Sequence, residues 1–91
     1  MEIVYDSRKS ASNRRKHGIG FEEAQTALLD EHALVSEDHD SDGEQRFVLL
    51  GRSRQHRLLV VVYAIWDEQA EVIRLISARR ATAHEEKSYG Y

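Results

Sequence analysis

The run Leu58-Leu59-Val60-Val61-Val62-Tyr63-Ala64-Ile65-Trp66 is apolar at odd and even positions alike. It is rich in β-branched and aromatic residues, which suit a pleated strand. A strand apolar on both parities is covered on both faces or lies centrally in its sheet. Residues 46–51 and 72–78 read as strands on either side of it, joined through short turns at 52–56 and 67–69. Connections this short hold no crossover helix, so these neighbours run antiparallel. A further strand begins at Ala33-Leu34-Val35, and residues 37–44 read as a polar turn after it.

The remaining segments supply helices. Residues 1–5 form a short extended start, and Asp6 or Ser7 can cap a polar helix that ends at Gly18. After Gly20, the spacing Phe21, Ala24, Leu28 gives an amphipathic helix with carboxylates in its first turn. Thr82-x-x-Glu85 is a capping box and starts a short C-terminal helix. The expected fold class is α+β: two N-terminal helices, a four-stranded antiparallel meander with helices packed on one face, and a short C-terminal helix. Residues 1–91 read as a single domain, since a chain this short builds one core.

No apolar stretch approaches the ~20 residues of a membrane helix. Residues 1–4 lack the basic and apolar regions of a secretion signal. The chain has no cysteine, which leaves out disulfide scaffolds, thiol nucleophiles and thiolate metal sites. These features point to a cytoplasmic protein without a membrane partner.

Charge is segregated. Nine of the sixteen carboxylates fall between Glu22 and Glu44, where no Lys or Arg occurs. The other seven face all thirteen Lys and Arg residues, so the net charge of −3 averages a basic body and an acidic insert. A polyanion such as RNA could meet the first; the second would repel it or attract a basic protein partner.

Three constellations carry chemistry. In the last strand, strict alternation sends Ile73, Leu75, Ser77 and Arg79 one way and Val72, Arg74, Ile76, Ala78 and Arg80 the other. Guanidinium groups there can hold a phosphate with two parallel bonds, or pair with nearby carboxylates. Lys16-His17-Gly18 places an imidazole, a proton carrier near neutrality, at a helix end, where it also suits the helix dipole. Residues 38–44 match the opening of a calcium loop, but its twelfth position is Leu49, so an acidic turn is the better account. The five histidines form no zinc-binding pair, and no glycine-rich phosphate loop is present. Phe47, Tyr63 and Trp66 read as core or sheet-face residues; Tyr5, Tyr89 and Tyr91, nearer the ends, are candidates for stacking on a base.

Five segments in order resemble one family. Tyr5-Asp6-x-x-Lys9-x-x-x-Asn13-x-x-Lys16-His17-Gly18 with Phe21-Glu22-Glu23-Ala24 is similar to the N-terminal signature of the BrnT toxins of bacterial type II toxin–antitoxin pairs. Gly43-Glu44-x-Arg46-Phe47, Gly51-Arg52-Ser53, Arg57-Leu58-Leu59-Val60-Val61-Val62-Tyr63 and Arg74-x-Ile76-Ser77-Ala78-Arg79-Arg80-Ala81 continue the match, and Glu85 and Tyr89 fit the C-terminal helix. Two positions depart from the family pattern: Tyr5 stands where Trp is usual, and Gly20 where a Ser cap is usual.

The resemblance implies a RelE-like fold and a ribonuclease that arrests growth. It also implies an antitoxin, BrnA, that covers the active surface and binds DNA through its own domain. No metal or cofactor is implied. On that basis the expected mechanism is attack of an RNA 2′-hydroxyl on its own phosphodiester. His17 or Glu44 would act as base. Arg46, Arg74 and Arg79 would hold the phosphorane charge, and Lys16 a substrate phosphate or the leaving-group proton. Arg8, Lys9, Arg14 and Arg80 would bind the RNA backbone. The rival reading is a module of the same fold without catalysis, whose acidic block docks a basic antitoxin segment.

Overall fold

A computed structural model describes residues 1–38 and 43–90. Its elements are β1 (Glu2–Val4), α1 (Ser7–His17), α2 (Phe21–Ala27), β2 (Leu34–Asp38), β3 (Arg46–Arg52), β4 (Leu58–Asp67), β5 (Val72–Arg80) and α3 (Ala83–Tyr89). One five-stranded sheet runs in the order β1-β5-β4-β3-β2, and β4 is its centre. The pairs from β2 to β5 are antiparallel, as the short turns require.

The four-stranded expectation is corrected at the N-terminus. Glu2, Ile3 and Val4 pair in parallel with Val72, Ile73 and Arg74, so the extended start is a fifth strand and the sheet is mixed. Nothing local marks a three-residue strand whose partner lies some seventy positions away. The acidic turn is also shorter than expected. Glu37 and Asp38 belong to β2 and pair with Phe47 and Arg46, which sets opposite charges side by side at Asp38 and Arg46. The calcium-like reading of residues 38–44 falls largely on 39–42, which lie outside the described residues.

α1 and α2 pack on one face of the sheet. The core there joins Ile19, Phe21, Ala24 and Ala27 to Leu49, Leu59, Val61, Tyr63, Leu75 and Ala78. Full burial of Phe21 contributes roughly 2–3 kcal/mol from apolar transfer alone. α1 shows no apolar stripe because it docks through polar groups: its buried residues are Ser10 and Asn13. The Asn13 amide donates to the carbonyls of Ile19 and Ala78, both at 2.7 Å, and accepts from the Ala78 N–H at 3.2 Å. It thereby closes the backbone of β5 where β1 no longer covers it. Ser10 supplies the cap that Gly20 lacks: its hydroxyl accepts from the Phe21 N–H at 2.8 Å.

Helices do not all share one face, contrary to expectation. α3 lies on the other side of the sheet, where Glu85 and Ser88 border a groove floored by Leu34, Val48, Leu50 and Val60. No residue of α3 is buried. Polar bonds hold it at both ends. Arg79 grips Glu85 with two 2.8 Å bonds, and the Tyr89 hydroxyl donates to Asp30 while the Arg52 guanidinium lies over the Tyr89 ring. Among the described residues no helix is long and apolar enough to cross a membrane.

Candidate functional site: an arginine row on the sheet

Strict alternation fails inside β5. Val62 pairs with Ser77, but Tyr63 pairs with Leu75, so Ile76 is an extra residue in a bulge. Leu75 and Ala78 consequently enter the same core despite their opposite parity. The same insertion corrects the expectation that Arg74 and Arg79 point opposite ways. Both leave the sheet on the face away from α1 and α2, while Arg80 turns toward the helical side and Glu23.

Register then builds a row. Arg46 of β3 and Arg74 of β5 both stand opposite Ala64 of β4. Ala64 is the smallest side chain that could part them, and the Glu44 carboxylate bridges the gap. It accepts from Arg74 at 2.5 Å and from Arg46 at 3.3 Å. These bonds, Arg74's foremost, hold the Glu44 carboxyl below the usual carboxylate range. Arg79 lies on the same face opposite Val60, locked to Glu85. The Arg79 bonds are the main reason that the Glu85 pKa falls from 4.5 to about 2, and Glu85 in turn raises that of Arg79.

Lys16 and His17 occupy a different place. With Lys9, Ser12 and Asn13 they line a shallow groove of about 240 Å³ between α1 and Ile76-Ser77 of β5. Among the described residues, no hydrogen bond or ion pair joins His17 to Glu44, Arg46 or Arg74. The two groups flank β5: the arginine row on its face, the imidazole and lysines along its open edge. Arg8 is exposed on α1, and Arg14 pairs with Glu22 at 2.7 Å.

Two features escaped the sequence reading. Glu23, 7% exposed, accepts from both Arg57 nitrogens that face it and from the Ser53 hydroxyl at 2.7 Å. The Arg57 bonds lead in lowering its pKa. Ser53 and Arg57 lie in segments that resemble the family pattern, but no spacing rule joins them to a glutamate on α2. The second is the exposure of Trp66: it belongs to β4, as expected of a core or sheet-face residue, yet it is 65% exposed. The stacking candidates are otherwise engaged: Tyr5 packs edge-on against Phe21 at 5.6 Å, and Tyr89 anchors α3. Tyr91 lies outside the described residues. No three His, Asp or Glu side chains among the described residues cluster as metal ligands.

Fold and face together define a class: a small α+β protein that raises arginines from adjacent strands of a mixed sheet on the side its N-terminal helices leave open. The family model of the ribonuclease toxin BrnT of type II toxin–antitoxin systems matches residues 5–85. The chain belongs to the BrnT family of toxins. Among solved structures, the 1.1 Å crystal structure of the Brucella abortus ribonuclease toxin BrnT matches 90% of this chain and 97% of that one, at a TM-score of 0.67 and 24% identity. That likeness is one of fold. No curated protein matches the chain.

Proposed function

We propose that this protein is a metal-independent endoribonuclease, and that the Glu44–Arg46–Arg74 cluster is its catalytic centre. The observation that carries the reading is the shared row: two guanidinium groups three strands wide, with one carboxylate held between them. Two such groups match the negative oxygens of a pentacoordinate phosphorane. Glu44 is the base favoured over His17, because it stands among the arginines. An entering phosphodiester draws Arg46 and Arg74 away from Glu44, and its carboxylate regains basicity as they leave.

Glu44 takes the 2′-hydroxyl proton, the 2′-oxygen bonds to phosphorus, and the bond to the 5′-oxygen breaks. The leaving oxygen takes a proton from water, while Lys16 and His17 in the groove at the β5 edge hold the flanking RNA backbone, and a 2′,3′-cyclic phosphate remains. Arg79, once released from Glu85, adds charge to the same face. Arg8, Lys9, Arg14 and Arg80 guide the backbone through longer-range attraction. The chain acts as a single RelE-like domain in the cytoplasm. A BrnA-like antitoxin neutralises it by covering the arginine face, and contact with DNA comes through that antitoxin alone.

A second reading has its own support. Arg14, Arg46, Arg74 and Arg79 each already hold a carboxylate. Leu34 of the edge strand β2 is exposed on that face. A module that binds a partner and cuts nothing would present the same surface. Incubation of purified protein with single-stranded RNA in EDTA separates the two. Cleavage that Arg74→Ala slows about 10²–10³-fold supports the enzyme, since that is the typical loss for one charge-stabilising donor. Intact RNA, with a partner still bound, supports the module.

A further inference from the structure

Beside the arginine row lies an open groove of about 380 Å³, lined by Val4, Tyr5, Asp6, Trp66 and Arg74. Its volume is within the range of small-molecule clefts. Trp66 is the chain's one tryptophan, and it stands 65% exposed with no ring partner among the described residues. An indole left in water forgoes the burial that usually justifies its size. Trp66 also lies outside every segment that carries the family signature. Arg74 belongs to both places: it lines the groove and holds Glu44 in the row. Asp6 caps α1 by accepting the Arg8 N–H at 2.7 Å through Oδ1, and the same residue lines the groove.

We propose that this groove is a nucleobase subsite. Trp66 is the stacking plane, Arg74 holds the adjoining phosphate, and Asp6 reads the base edge with a preference for guanine. A phosphate gripped by Arg74 delivers its own nucleoside to the groove. Stacking on an indole is open to every base. The carboxylate then selects, because guanine alone presents two neighbouring donors, N1–H and N2–H₂, on its Watson–Crick edge. Adenine and cytosine turn a lone pair toward Asp6, and uracil flanks its one donor with two carbonyls. The subsite rests on the RNA-directed reading above, but its test does not depend on cleavage.

Trinucleotides with 2′-O-methyl groups throughout lack the nucleophile and stay intact, so they report binding alone. Titration with central G, A, C or U, read by Trp66 fluorescence, measures base contact directly. The expected result is quenching strongest with central G, with about tenfold tighter binding than with A. By anisotropy of a labelled oligonucleotide, Trp66→Ala weakens binding about tenfold, and Trp66→Phe restores most of it. Asp6→Asn keeps the helix cap, since Asn and Asp cap alike, and abolishes the preference for G. Oligonucleotide binding that leaves Trp66 emission unchanged would overturn the subsite. Equal response to all four bases, or quenching by a protein partner alone, would do the same. A protein that quenches with G yet leaves RNA uncut keeps the subsite and loses the nuclease. One that cuts RNA while Trp66 stays silent does the reverse.

Discussion

Asn13 is a small side chain with a large structural task, since three buried hydrogen bonds, one to the α1–α2 connection and two to β5, meet on it. Asn13→Ala strands the Ala78 N–H and two carbonyls, and a buried group without its partner costs about 1–3 kcal/mol. Urea unfolding is expected to show a loss of about 3 kcal/mol; a loss below 0.5 kcal/mol would mean that water closes the β5 edge unaided. Arg57→Ala is expected to cost about 3 kcal/mol as well, because it leaves the Glu23 carboxylate buried with the Ser53 hydroxyl and the more distant Arg80 charge in place of its ion pair. Both residues were visible in the sequence as parts of a family signature. Their partners were not, because Ala78 and Glu23 lie far away along the chain and polar docking leaves no periodic trace. The cap at Gly20 tells the same story: a hydroxyl eleven residues before Phe21, whose N–H it accepts, replaces a local one.

Among elements, strands β3, β4 and β5 were legible because apolar runs and short turns leave few other options. The bulge at Ile76 was not, since its residue types fit an unbroken strand. That one inserted residue decides which arginines share a face, so the candidate site was half-legible: residue types were evident, orientation was not. Gly51 marks where α2 approaches β3. A Cβ there would meet the Ala27 carbonyl oxygen at 2.8 Å. Gly51→Ala is expected to lower stability by about 1–3 kcal/mol in urea unfolding, since backbone cannot yield as a side chain would.

α3 was legible from its capping box, which forms as expected: Glu85 N–H donates to Thr82 Oγ1 and Thr82 N–H to Glu85 Oε1. Its side of the sheet was hidden, being set by Arg79 and Asp30. Glu85 carries a depressed pKa, so its contribution to stability is fully present above the ordinary value of 4.5 and is lost as pH falls toward about 2. Glu85→Gln is expected to lower stability by roughly 1–2 kcal/mol at pH 7 and by little at pH 2. Melting curves across that range check it; equal loss at both ends would show that the ion pair is not the latch.

At the scale of the whole molecule, the sheet divides the labour. One side is apolar and carries the core under α1 and α2; the other carries charge, a thin apolar floor and a helix fastened by its ends. The α+β class and the antiparallel centre could be read from the chain. The parallel β1 could not, because closing a sheet edge across nearly the whole sequence is a tertiary event with no local signature. Family membership joins the fold to a ribonuclease toxin, and the proposal above assigns that chemistry to the arginine row. In the proposed mechanism Glu44, Arg46 and Arg74 act together on RNA. Cleavage of single-stranded RNA in EDTA by Glu44→Gln, Arg74→Ala and the double variant tests it most directly. If the residues act as a unit, each single variant loses about 10²–10³-fold and the double variant loses little more. Cutting at the parental rate by either single variant would mean that the Glu44–Arg46–Arg74 cluster is not the catalytic centre.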